Sequence, residues 1–228
     1  MSAMGATLSL ISGRDGFSFD AYRAPQEDAR RGGLVLIQEI FGVTAHIREL
    51  ADGFAADGYE TLAPSLYERQ QRGFAAGYDR ESVDRGRRYS EAAPWDEVAA
   101  DLAACVAALA PPVFVAGFCW GGTATWLAAC RCEGVAAASS FYGRRIPELV
   151  NETPRCPIIL HFGRRDPTIP PQTVETIADA HPEIPIHLYD AGHGFVSDRA
   201  DYDPDAARLA RLRTLQLFAM HGGGRGDI

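Results

Sequence analysis

Val113-Phe114-Val115-Ala116-Gly117-Phe118-Cys119-Trp120-Gly121-Gly122 is the stretch on which the reading of this chain turns. Residues 113–116 form a short apolar run suited to a strand buried on both faces. A helix over 123–129 is expected just after the glycine pair. Between them stands glycine, any residue, cysteine, any residue, glycine: a nucleophile-elbow pattern with cysteine in the place of serine. Gly117 and Gly121 have a physical task there, because a sharp strand-to-helix turn needs backbones that pass closely. The turn would also set the Cys119 sulfur at a helix N-terminus, where the dipole favours thiolate. An inert cysteine buried in a tight glycine turn fits the same five residues, and only the flanking strand and helix favour the catalytic alternative.

Two segments further along agree with it. Residues 158–166, Ile-Ile-Leu-His-Phe-Gly-Arg-Arg-Asp, read as a strand and then a loop that carries Asp166. Residues 186–194, Ile-His-Leu-Tyr-Asp-Ala-Gly-His-Gly, read as a strand and a glycine-flanked loop that carries His193. Nucleophile, acid and base thus follow in that order, acid and base each just past a strand's C-terminal end, where open parallel sheets place their sites. The other histidines are read as packing or surface residues. His161 and His187 fall within strands, His46 and His181 in or beside helices, and His221 near the C-terminus.

The rest of the chain supplies the scaffold. Strands are expected at 7–11, 17–22, 34–38, 59–63, 134–140, 157–162 and 185–190, with helices at 46–57, 171–180 and 204–219. Another helix starts at Trp95, whose apolar partners at 98, 99, 102, 103, 106 and 109 share one face. Strands alternating with helices predict an α/β fold, a mostly parallel twisted sheet with helices on both faces. Residues 68–94 are rich in Arg, Gly and Ala, weakly patterned, and are expected to cap one end of the sheet. Residues 1–221 are read as one domain and 222–228 as a disordered tail.

Composition excludes several classes. A net charge of −8 opposes a nucleic-acid partner. All 22 basic residues are arginine, so Schiff-base, P-loop and kinase-type lysine chemistries are absent. No apolar run approaches a membrane span, and the first residues lack a secretory signal's pattern, which predicts a cytoplasmic protein. Cys105, Cys119, Cys130, Cys132 and Cys156 show neither a disulfide framework nor zinc-site spacing. No metal is expected.

Together with Gln38-Glu39-Ile40-Phe41-Gly42, Leu-Tyr-Glu-Arg-Gln at 66–70, Ser-Phe-Tyr-Gly at 140–143 and Ala-Gly-His-Gly-Phe at 191–195, these segments resemble the dienelactone hydrolase (carboxymethylenebutenolidase) family. The resemblance implies an α/β-hydrolase fold and a monomeric, cofactor-free enzyme that opens a carboxylated unsaturated lactone in aromatic-compound degradation. It implies a triad of Cys119, Asp166 and His193, with Glu39 contacting the nucleophile and helping to deprotonate it when substrate arrives. Backbone N–H groups of Ile40 and Trp120 would form the oxyanion hole. Arg85, four residues before Tyr89, would hold the substrate carboxylate, with Tyr142 also in the substrate pocket. The family's second carboxylate-binding arginine falls here on Ser197, and Arg199 two residues on is the candidate replacement. Trp120 is bulkier than the aliphatic residue the family leads one to expect. A broader carboxylesterase or thioesterase, or a non-catalytic thiol-bearing binding protein, remain alternatives.

Overall fold

A computed structural model describes residues 5–224. Strands β1 (Ala6–Ile11), β2 (Ser18–Ala24) and β3 (Gly32–Ile37) are followed by α1 (Ala45–Ala56), β4 (Tyr59–Pro64), α2 (Arg80–Ala92) and α3 (Trp95–Ala107). Then come β5 (Val113–Phe118), α4 (Trp120–Arg131), β6 (Val135–Phe141), β7 (Ile158–Gly163), α5 (Pro171–Ala180), β8 (Ile186–Tyr189) and α6 (Pro204–Phe218). One eight-stranded sheet runs in the order β1-β2-β4-β3-β5-β6-β7-β8. Pairings among β4, β3, β5, β6, β7 and β8 are parallel, and β2 is antiparallel to both β1 and β4.

The two central strands explain their own sequences. Every residue of β3 and β5 is buried, so both read as unbroken apolar runs. Alternate residues of β5 face opposite layers. Phe114 stacks on Phe218 of α6 at 4.4 Å, and α1 lies beside α6, tied by Arg211 to the Gly53 carbonyl and Asp57. On the other side, Gly117 lies against the Gly121 carbonyl and Thr125 of α4, and α3 packs against α4. Helices therefore cover both faces, as expected.

Three sequence expectations need correcting. Helix α4 starts at Trp120, directly after Cys119, rather than at 123. The stretch 68–94 contains the helix α2, capped by Asp79, whose side chain accepts from the Ser82 N–H. Its buried residues are Ser82, Gly86 and Ser90, one turn apart each, so the packed stripe is small and polar and gives no apolar period. Third, Gly223 is buried and its carbonyl accepts from the Tyr59 hydroxyl at 3.1 Å. The expected disordered tail thus does not begin at 222; residues 225–228 lie outside the described residues. No helix among the described residues is long and apolar enough to cross a membrane.

The join between β5 and α4 is tightly packed. A Cβ on Gly121 would sit 2.6 Å from the Ile37 carbonyl oxygen and closer still to that of Gln38. Gly121→Ala is therefore expected to destabilise the fold by about 1–3 kcal/mol through overpacking, read as a lower urea midpoint at unchanged slope.

Candidate active site

Cys119 sits at the C-terminal end of β5 with φ +56° and ψ −117°, a region that side-chain-bearing residues rarely occupy. Its N–H donates to the Phe141 carbonyl at 3.0 Å and its carbonyl accepts from Gly122 N–H at 3.0 Å. These bonds lift the side chain off the strand end, and Cys119 is only partly buried.

The acid and base loops leave β7 and β8 and are sewn to each other. Arg164 N–H donates to the Tyr189 carbonyl and Arg165 N–H to that of Ala191. Across the join, His193 Nδ1 donates to Asp166 Oδ2 at 2.6 Å, and His193 Nε2 lies 3.3 Å from Cys119 Sγ. Asp166 Oδ1 accepts from both the N–H and the hydroxyl of Thr168, each at 2.7 Å. A threonine two residues after an aspartate in a loop is a turn signal, and it could have flagged Thr168 in the sequence. The imidazole rests against the ring of Tyr142 at 5.0 Å, and Tyr142 has φ +40°.

Charge at this site is set by burial against neighbours. Burial pushes the Asp166 carboxyl up, but the bonds from His193 and Thr168 outweigh it and hold the group below its ordinary value. Burial would lower His193; the negative charge of Cys119 and the bonds to Asp166 and Cys119 instead carry it up to about 10.

These side chains open onto a cavity of about 430 Å³ that Cys119 and His193 line together with Ile40, Trp120, Thr168 and Arg199, a volume suited to a small organic ligand. The profile of the dienelactone hydrolase family matches residues 19–222. The chain belongs to the dienelactone hydrolase family. A Pseudomonas putida protein named carboxymethylenebutenolidase is 30% identical over 92% of this chain and 94% of its own length. A Synechocystis protein named "Putative carboxymethylenebutenolidase" is 35% identical over 81% of this chain and 84% of that one. A solved Klebsiella pneumoniae structure, named a "Putative Dienelactone Hydrolase", superposes with a TM-score of 0.80 at 28% identity, over 95% of this chain and 99% of that one. The chain is accordingly a carboxylic ester hydrolase with the α/β-hydrolase fold.

Family membership does not fix every position. Glu39 is 3% exposed, and its Oε1 accepts from Arg199 Nη2 at 2.7 Å. Its carboxylate is bonded to Arg199 and not to Cys119. Burial raises its carboxyl while Arg199, His193 and His46 pull it back. Arg199 in turn is steadied by the Ser197 hydroxyl at 2.9 Å and by the rings of Phe41 and Tyr78, so Ser197 supports the arginine that stands near its place. Arg85 is turned away: it pairs with Glu81 at 2.8 Å and does not line the cavity. Residues two apart on a helix point about 200° from each other, and the cavity face of α2 is Val83, Arg87, Ser90 and Glu91. Tyr142 is 1% exposed and lies beneath the cavity rather than on its wall. Among the described residues no group of three or more His, Cys, Asp or Glu is placed to hold a metal.

The rise at His193 comes chiefly from the charge of Cys119, with the hydrogen bonds to Asp166 and Cys119 beside it. Proton NMR should find the His193 imidazolium persisting above pH 8 in the native chain. Cys119→Ala removes the negative charge and should bring that midpoint down; an unchanged midpoint would mean the sulfur does not act on the imidazole.

Proposed function

We propose that the chain opens a carboxylated unsaturated lactone, or a related activated ester, through a thioester on Cys119. The observation that carries this reading is the unbroken line of contacts from Cys119 Sγ to His193 at 3.3 Å and from His193 to Asp166 at 2.6 Å, on a cavity wall. His193 takes the thiol proton; the thiolate attacks the acyl carbonyl, and its electron pair becomes the new C–S bond. The carbonyl oxygen receives the displaced charge beside the backbone N–H groups of Ile40 and Trp120, which follow Glu39 and Cys119 into the cavity lining. Losing one such donor typically costs about 2.7–4 kcal/mol of transition-state stabilisation. The C–O bond breaks to give an enolate, which takes the proton from His193. The same imidazole then removes one proton from water as the hydroxide oxygen attacks the thioester; collapse breaks the C–S bond, the thiolate leaves beside the imidazolium, and the carboxylic acid product gives its remaining proton to solvent.

A wider carboxylesterase or thioesterase specificity is favoured by one observation, the departure of Arg85 from the cavity wall. A panel of carboxylated lactones set against neutral esters and thioesters separates the two. The small-molecule role agrees with the net charge of −8, which opposes nucleic acid. Five free thiols suit the reducing cytoplasm, and the family resemblance supports a monomer without cofactor.

Cys119→Ala should drop ester hydrolysis to the uncatalysed background while circular dichroism and thermal midpoint stay near those of the native chain. Native protein quenched during turnover should carry one acyl mass on the peptide that contains Cys119. Full turnover by Cys119→Ala, or acyl mass on a different residue, would falsify the assignment of the nucleophile.

A further inference from the structure

The side chain of Asp166 is wholly buried, and both of its oxygens are engaged. Oδ2 accepts from His193 Nδ1 at 2.6 Å. Oδ1 accepts from the N–H and the hydroxyl of Thr168, each at 2.7 Å. The same hydroxyl oxygen lies 3.1 Å from His193 Nδ1. A hydroxyl has one proton to donate, and this one is donated to Asp166, so towards the ring Thr168 can only accept. The Nδ1–H is therefore shared between Asp166 Oδ2 and Thr168 Oγ1, and the three side chains close a triangle behind the imidazole.

Among the described residues little else orients that ring. His193 stands between Gly192 and Gly194, the latter at φ +74°, and glycine neighbours restrain a backbone least. The loop is tied at Ala191 and Gly194 by bonds from Arg165 and Ser197 N–H, but those bonds fix the chain, not the ring. In front of the ring is Cys119 Sγ, 3.3 Å from Nε2, and the Tyr142 ring packs against it at 5.0 Å. Thr168 is better seated. It follows Pro167, whose ring fixes φ, and as a β-branched residue it has a stiff χ1. Acylation of the sulfur would remove the front support, because a thiolate holds an imidazolium strongly and a neutral thioester sulfur is a weak acceptor. From then until water has attacked, hydrogen bonds orient the ring from behind alone.

We propose that Thr168 is a positioning residue for the second half of the reaction: its hydroxyl holds the imidazole in line with the thioester while His193 takes a proton from water. In that step one water proton passes to Nε2 and the hydroxide oxygen bonds to the acyl carbon. The C–S bond then breaks with its electron pair returning to sulfur. Thr168 gains and loses no proton; it acts through His193 and Asp166. During acylation the same hydroxyl counts for much less, because the thiolate itself holds the ring from the front. This role presupposes the thioester on Cys119 proposed above, and the experiment separates the two.

Thr168→Val keeps the shape of the side chain and the bond from its N–H, and removes only the hydroxyl; Thr168→Ser puts the hydroxyl back. With p-nitrophenyl acetate, stopped-flow release of p-nitrophenolate gives the acylation rate. Decay of the acetyl mass on the Cys119 peptide, once substrate is exhausted, gives the deacylation rate. Thr168→Val should slow deacylation by about tenfold, the worth of one hydrogen bond to a charged group, and acylation by less than about threefold. Acetyl-Cys119 then accumulates, and kcat and KM fall together while kcat/KM is nearly kept. Thr168→Ser should return deacylation to the native rate. Equal slowing of both steps, no slowing, or a serine variant as slow as the valine one overturns the role. The His193 Nδ1 proton, followed by NMR, tests the support without any chemistry. It should stay visible in Thr168→Val and in Cys119→Ala, and be lost to solvent exchange when both are changed; a signal that persists in the double variant overturns the role. Loss of that signal, with no acyl mass on Cys119 in the native chain or in Thr168→Val, sinks the thioester and the half-reaction with it but keeps Thr168 as a support of the ring. Acyl mass on Cys119 with both steps equally slowed does the reverse.

Discussion

The site depends first on a backbone angle. A cysteine at φ +56° stores strain of about 1–3 kcal/mol, and it persists because its surroundings leave the chain no other course. Its N–H is bonded to β6, its carbonyl caps the first turn of α4, and Gly121 seats that turn on the carbonyls at the end of β3. Tyr142, at the end of the neighbouring strand β6, holds a second positive φ. The two strained residues are linked through Phe141, whose carbonyl takes the Cys119 N–H. One lifts the sulfur away from the sheet, and the other lays a ring under the imidazole that must reach it.

The parallel order of the sheet does the remaining positioning. Strands β5, β6, β7 and β8 are sequential neighbours with their C-terminal ends on one side, so residues 47 and 74 positions apart from Cys119 arrive at one place. The cross-bonds from Arg164 and Arg165 to the loop after β8 remove freedom between acid and base, and the hydroxyl of Thr168 occupies the side of Asp166 that His193 leaves open. Orientation is thereby set in the folded chain before substrate binds, the condition under which proximity lowers a barrier most.

How much of this was written plainly in the sequence follows from what each residue has to satisfy. Fully buried strands such as β3 and β5 must be apolar throughout, and the elbow must have glycine where backbones touch, so the fold and the meeting of Cys119, His193 and Asp166 were both legible. Helix α2 was not, because it packs through Ser82, Gly86 and Ser90 and shows the sheet no apolar stripe. The resemblance placed Arg85 in the pocket by its spacing from Tyr89, and the phase of the folded helix turns Arg85 to Glu81 and Arg87 to the cavity. Glu39 was found by pattern but not its partner: the ion pair spans 160 residues, and no local spacing reports a contact between segments so distant.

In the proposed cycle, the charge that keeps the proton on His193 is consumed by the reaction. Burial works against the imidazolium, and the negative charge of Cys119 is the largest influence opposing it. Attack on the carbonyl turns that thiolate into a neutral thioester sulfur, while Asp166 remains ionised behind the ring. With the front charge gone, burial and the single carboxylate compete on nearer terms, and the affinity for the proton falls. The imidazole is thus an acid when the leaving group needs a proton and a base when water must lose one. A histidine set between a permanent charge and a transient one changes role in step with the chemistry, and no side chain has to move for it to do so.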